Sequence, residues 1–312
     1  MFHRNKVIMQ ALIQHEAVLP NLPSASGVEV VGNVAYVIGD DAPFLYQLNA
    51  ATLAAGEPTR LFETAHFSTG RIPKELKLDL ECMTALTTPT GETGLLALGS
   101  GATAAREQGF WVPLLKTGGV GNVYPVSLGG LYSTLRTLLP PGIVLNLEAT
   151  AATATELLLF QRTVGLATGN LLFRLPLAAT LNYLHHRAQQ VPAVQKQLFE
   201  LPVIDGKPAG FSGATWFDSR LFVTASVEDT QDAVLDGVVL GSFVGVLELA
   251  KPSEKVLPVR LAQLELPGGK PYRGKVESVA VRRKSGPRSY ELLLVTDDDA
   301  GGSTAVTVAL SL

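Results

Sequence analysis

A single cysteine, Cys82, stands among 312 residues, so no internal disulfide can staple the chain. No apolar run approaches the length of about 18 residues that a membrane-crossing helix needs. The opening Met1-Phe2-His3-Arg4-Asn5-Lys6 is followed by alternation from Val7 to Ile13 without a small-residue cleavage site. That pattern reads as a strand rather than a secretory signal, and the expectation is a cytoplasmic protein. Charge of one sign is also missing: 25 Lys and Arg stand against 28 Asp and Glu, a formal net charge of −3 with no long run of either. Without a basic stripe, nucleic acid is not an expected partner. A phosphate loop of the Gly-x-x-x-x-Gly-Lys-Ser/Thr form is absent, as is Gly-x-Ser-x-Gly. No Pro- or Ser-rich linker divides the chain, so residues 1–312 read as one domain, two separate β domains being the alternative.

What is present is a repeat. With 46% hydrophobic residues the chain can bury a sizeable core. One pattern recurs: a short apolar strand entered through Ser or Glu, a second apolar strand ending in Gly, Asp or Thr, then a polar loop and a third strand. The first strands begin at Ser26, Glu81, Glu148, Ser212 and Glu277, roughly 55–67 residues apart. The last copy lacks an outer strand, which the segment Lys6 to Gln14 is free to supply. The fold expected is all-β, a five-bladed β-propeller closed by the N-terminal strand. One helical insert near 176–201, broken at Pro192, interrupts it; Gly118 to Pro141 reads as an irregular loop plus an outer strand.

In a propeller the start of each first strand and the end of each second strand share one face. Ser26, Glu81, Glu148, Ser212 and Glu277 therefore meet at the mouth of a central channel, one per blade. Alternation puts Lys77 and Asp79 on the side of Glu81, Asn146 with Glu148, and Lys275 with Glu277. The same face receives Asp40, Asp41, Ser100, Arg106, Arg162, Glu228, Asp229, Asp297, Asp298 and Asp299. Three glutamates around a narrow channel repel and raise one another's pKa unless a cation lies between them. Calcium suits an all-oxygen ring, whereas zinc would recruit His or Cys, which do not recur there. The alternative is that these glutamates cap strands or pair with Lys77, Lys207 and Lys275.

The order Ser26, Glu81, Glu148, Ser212, Glu277 resembles the calcium-activated nucleotidase (apyrase) family. The resemblance implies a central calcium held by these five residues. The longer motifs that surround the nucleotide in those enzymes are absent. Lys77-Leu-Asp-Leu-Glu81, followed by Leu98-Gly-Ser-Gly101, is similar to bacterial propellers of the esterase-like phytase group and related uncharacterised families. The two resemblances imply the same fold and metal and different substrates.

Two functions are open. One is a calcium-dependent hydrolase of a phosphorylated or otherwise anionic small molecule, with Arg106 and Arg162 on the anion and Asp40, Glu228 or Asp297 as general base. The other is a non-catalytic scaffold with a structural calcium and a ligand or protein partner on the same face. Gly99-Ser-Gly101-Ala-Thr-Ala104 reads as a blade loop, His185-His186 as part of a helix, and Cys82 as a buried thiol facing away from the channel.

Overall fold

The computed structural model describes residues 9–116, 118–163, 170–230, 237–249 and 255–312. An opening strand, β1 (Gln10–Val18), is followed by antiparallel meanders. The first is β2 (Ala25–Val31), β3 (Val34–Gly39), β4 (Phe44–Asn49) and β5 (Thr59–Arg60). The second is β6 (Leu80–Thr87), β7 (Thr93–Gly99), β8 (Gln108–Pro113) and β9 (Tyr124–Ser127). Next come β10 (Leu147–Ala152), β11 (Glu156–Gln161), β12 (Leu171–Pro176) and β13 (Gln195–Glu200). A small hairpin, β14 (Val203–Ile204) with β15 (Lys207–Pro208), precedes β16 (Gly210–Phe217), β17 (Arg220–Asp229) and β18 (Val238–Leu247). Then β19 (Leu257–Pro258) lies parallel to β13, and β20 (Ala262–Leu266) pairs with β18 and with β21 (Lys270–Pro271). The last meander is β22 (Lys275–Gly286), β23 (Ser289–Asp297) and β24 (Ser303–Ser311).

The first strands of these meanders pack around a common axis: β2 against β6, β6 against β10, β10 against β16, β16 against β22, and β22 back against β2. This circuit is β-propeller architecture. Sheets stacked around an axis are covered on both faces, so their second strands need apolar side chains on both sides. Leu95 to Leu98, Leu157 to Phe160, Leu221 to Val223 and Leu292 to Val295 are accordingly continuous apolar runs, all buried. β1 lies outside β24, antiparallel to it from Gln10 opposite Ser311 to Val18 opposite Thr304, and its other edge runs parallel to β20.

Two segments differ from the sequence expectation. Helical spacing over 176–201 yields a helix only at α2 (Leu177–Leu184); beyond Pro192 the chain returns as β13, pairing with β12. Between Gly118 and Pro141 the outer strand is β9, but Leu131, Leu135 and Leu138 then line one face of a helix, α1 (Gly129–Leu138). Both helices pack into one apolar cluster with Trp111, Leu145 and Cys82. His185 ends α2 edge-on to the Trp111 ring, and Cys82 is fully buried in that cluster. The Gly99–Ala104 segment is a turn leading into a single 3-10 turn at Ala104–Arg106, with Gly101 held at φ 75° against the Tyr132 ring.

Candidate functional site

Each first strand carries a β-bulge near its start. The pairing register skips between Ala25 and Gly27, Leu80 and Cys82, Leu147 and Ala149, Phe211 and Gly213, and Val276 and Ser278. The extra residue is in turn Ser26, Glu81, Glu148, Ser212 and Glu277. A bulge leaves one residue out of the ladder and re-aims its side chain, which is why such irregularities gather at sites. The same distortion thus recurs at all five ring positions read from the sequence.

A cavity of about 420 Å³ opens beside these bulges. Ser26, Glu81, Glu148 and Glu277 line it; Ser212 does not. The Ser212 hydroxyl is fully buried and hydrogen-bonds Thr224 Oγ1 at 3.2 Å, within a hydroxyl group that includes Ser226. Ser26 donates to the Leu80 carbonyl at 2.5 Å. Asp40, Arg106, Arg162, Glu228 and Asp297 all line the cavity, and so do Asp41, Lys77, Asp79, Lys275 and Asp299. Among the described residues, nine carboxylates face six Lys and Arg side chains there, a formal excess of three negative charges.

The charges fall into two groups. On one side, Lys77 pairs with Asp40 and lies 2.8 Å from Asp79 Oδ1, while Arg106 reaches Asp79 Oδ2 at 2.8 Å and Ser100 donates to it at 2.5 Å. Asp79 is held there in the left-handed region, φ 56°, a conformation that a non-glycine residue adopts at some cost. Arg71 joins this side through Asp41 at 2.5 Å and Ser24 at 3.2 Å. On the other side, buried Arg162 bridges Glu148, at 3.4 Å, and Glu228. Asn146 donates to Glu148 at 2.5 Å, and Lys275 lies 3.2 Å from Glu277, 3.9 Å from Glu228 and 2.7 Å from Asp299.

These pairs do not neutralise the site. Burial raises the pKa of Glu81 well above the ordinary carboxylate range, with Glu148, Asp79 and Asp40 adding to it. Glu148 is also raised, by burial first and against the pull of Arg162. Burial pushes Glu277 up to about 8, Asp297 to about 7 and Asp40 to about 6. Mutual repulsion, the cause anticipated from the ring, is the smaller contribution. Glu228 goes the other way: burial works against its charge, but Arg162 and Lys275 together hold its pKa down. Three carboxylate oxygens are buried without a partner among the described residues: Glu277 Oε2, Asp40 Oδ1 and Asp41 Oδ1.

One set of carboxylates has the spacing of a metal group. Oxygens of Asp40, Asp79 and Glu81 lie within 4.8 Å of one another. Sequence reasoning places Asp79 beside Glu81 without choosing it as a ligand, and misses Arg71, whose segment carries no repeat. The donor set is all hard oxygen, with further carboxylates at hand in Glu148 and Glu277, and that is the chemistry calcium requires. Among the described residues no helix is long and apolar enough to cross a membrane.

Comparison with known proteins gives a family without a function. The family of unknown function DUF6929 matches residues 21–310. No curated protein matches the chain. Among solved structures, the β-propeller domain of Cps50 (Swd1) from Myceliophteria thermophila is similar over 93% of this chain and 99% of that one, at 9% identity and a TM-score of 0.39. Extracellular domains 1–2 of Drosophila Semaphorin 1a match over 90% and 75%, at 11% identity and a TM-score of 0.39. An apocarotenoid oxygenase of Synechocystis matches 89% of this chain and 58% of its own length, at 11% identity and a TM-score of 0.30. None of these likenesses bears on the chemistry of the cavity.

Proposed function

The chain belongs to the DUF6929 family of unknown function, and we propose that it is a five-bladed propeller that binds calcium in its axial cavity and hydrolyses a small phosphorylated or otherwise anionic molecule there. Five blades are supported by the five-membered circuit of first strands, and β1, beside β24, supplies the outer strand that the last meander lacks. The observation that carries the metal reading is the acidic excess of the cavity. Asp40, Asp79 and Glu81 are gathered to ligand spacing, Glu148 and Glu277 stand nearby, and Glu277 Oε2 has no partner among the described residues. Carboxylates crowded and buried in this way either take up protons or take up a cation.

Calcium at such a position supplies a Lewis acid for a substrate oxygen or a bound water. The chain's own residues do the rest. Arg106 and Arg71, which line the cavity, hold the anion with forked donors. Asp297, with a pKa near 7, is matched to taking a proton at neutral pH, which makes it a better general base than Glu228, bound to Arg162. Arg162 itself, between Glu148 and Glu228, fixes the two carboxylates and is a positioning residue. A binding scaffold with a structural calcium is favoured by the same ion pairs, since both terminal nitrogens of Arg162 are engaged by glutamates.

Metal analysis and thermal melting on wild type and Glu81→Gln test the reading. Burial raises the Glu81 pKa well above the ordinary carboxylate range, so glutamine keeps the shape of the uncharged form that burial favours. Wild type is expected to retain about one calcium per chain and to melt higher with it, and Glu81→Gln to lose both. Chelator-sensitive turnover of a phosphoester and lactone panel then separates hydrolase from scaffold. Wild type with no retained metal and no calcium effect on melting overturns the metal site.

A further inference from the structure

Lys77 stands inside the carboxylate group that has metal spacing. Its Nζ pairs with Asp40 and lies 2.8 Å from Asp79, and its side chain is only 11% exposed. It is thereby ion-paired within the group formed by Asp40, Asp79 and Glu81. The same three residues offer the oxygens that lie within 4.8 Å of one another. An ammonium and a divalent ion cannot share that set without strong repulsion. A second observation points to an acceptor that the cavity's own cations leave unfilled: Glu277, 6% exposed, lines it with Oε2 unpartnered among the described residues.

We propose that Lys77 is the cavity's internal counter-ion, occupying the place of the metal, and that a divalent cation drives its ammonium toward the mouth, where it becomes a ligand for the anion beside Arg71 and Arg106. This rests on the calcium reading above. Lysine suits the role because its charge is a point on a flexible stem, whereas an arginine fork is committed by its geometry. Lys77 also precedes β6, which starts at Leu80, so moving its stem breaks no ladder hydrogen bond. Arg162 cannot move likewise, being buried between two glutamates. Two consequences follow. Lys77 sets the affinity for the metal by competing with it, and the anion binds after the metal.

Calorimetric titration of calcium into chelator-treated wild type and Lys77→Met reads the competition. Methionine keeps the apolar stem and removes the charge. The variant is expected to bind calcium about tenfold or more tightly than wild type; equal or weaker binding overturns the proposal. Should the variant fail to fold, pulsed acetylation of wild type with peptide mass spectrometry gives the answer. Calcium should raise labelling of Lys77 several-fold and leave Lys284, on the outer surface, unchanged; unchanged Lys77 labelling with calcium bound overturns it. Inorganic phosphate, as the anion probe, should bind wild type only when calcium is present and more weakly to Lys77→Met; binding indifferent to calcium removes the anion half. If neither protein takes up calcium, the calcium reading falls and this proposal with it. If both bind it alike, only the role of Lys77 falls.

Discussion

Glu29 lies in the core of the ring with no cation beside it among the described residues. It stands three residues past the bulge at Ser26, and the equivalent positions on the other first strands are Thr84, Ala151, Thr215 and Ala280. One carboxyl thus faces small and hydroxyl side chains below the charged ring. Thr215 donates to both of its oxygens at 3.3 Å, although β16 is not a neighbour of β2 in the circuit, so Glu29 reaches across the axis. Burial raises its pKa to about 8, against hydrogen bonds from Ala85, Thr215 and Thr84. A carboxyl raised in this way is neutral in the fold at pH 7 and ionised in the unfolded chain. Its contribution to stability is complete below about pH 4.5 and is lost as pH rises through about 8. Glu29→Gln keeps the neutral shape. The variant should match wild type near pH 4 and exceed it by a few kcal/mol near pH 9, since each tenfold change in proton affinity is worth about 1.4 kcal/mol. Denaturant midpoints across that range check it; a constant difference between the two proteins at every pH would mean that Glu29 titrates in the fold as it does in the unfolded chain.

At the scale of elements, the approach to each bulge constrains the strand beside it. β3 ends at Gly39 and β7 at Gly99, each opposite the residue just before a bulge. A Cβ on Gly99 would lie 2.5 Å from the Arg106 carbonyl oxygen and 2.8 Å from that of Leu78; one on Gly39 would meet the Pro23 carbonyl oxygen. Backbone on both sides leaves no side chain to step aside. Gly99→Ala should therefore destabilise by roughly 1–3 kcal/mol, and more if the turn carrying Arg106 shifts. A denaturant midpoint equal to wild type would show that the turn yields freely. The bulged residues themselves are legible in the sequence because a repeat marks a position whatever the local geometry. Other features carry no such mark. Asp79 joins Asp40 and Glu81 through a positive φ, which alternation along a strand does not foresee. Arg71 arrives on an irregular segment between meanders. Ser212 matches the ring in sequence, but Thr224 and Ser226 offer its hydroxyl partners inside the sheet. In α1 the spacing of Leu131, Leu135 and Leu138 is present, obscured by Gly129 and Gly130 at its start. β13 reads as helix in the sequence because four of the six residues Gln195–Glu200 are polar; pairing with β12, not its own periodicity, makes it a strand.

For the whole molecule, the question is what keeps stacked sheets from opening. Each meander is local in sequence, and the first meets the last where β2 packs against β22 and β23 and through isolated hydrogen bonds such as Ala25 N–H to Ser303 Oγ at 2.8 Å. β1 is different in kind, since its hydrogen bonds run to β24 and β20, more than two hundred residues away. Ala11 and Ile13 are buried with Leu264, Val306 and Val308 in the cluster that underlies the last meander. Removing the chain through Val18 would take away that burial and leave β20 and β24 with open edges, which invite pairing between molecules. The loss, from a buried isoleucine and a row of ladder hydrogen bonds, is on the order of several kcal/mol. The truncated protein should melt lower and self-associate on size-exclusion chromatography, and a peptide spanning residues 9–18 should restore the monomer. Because β22 in that last meander carries Lys275 and Glu277, the same truncation should weaken the calcium binding proposed above if closure positions the ring. A truncated chain that stays monomeric with an unchanged midpoint would mean that packing between sheets alone holds the ring shut.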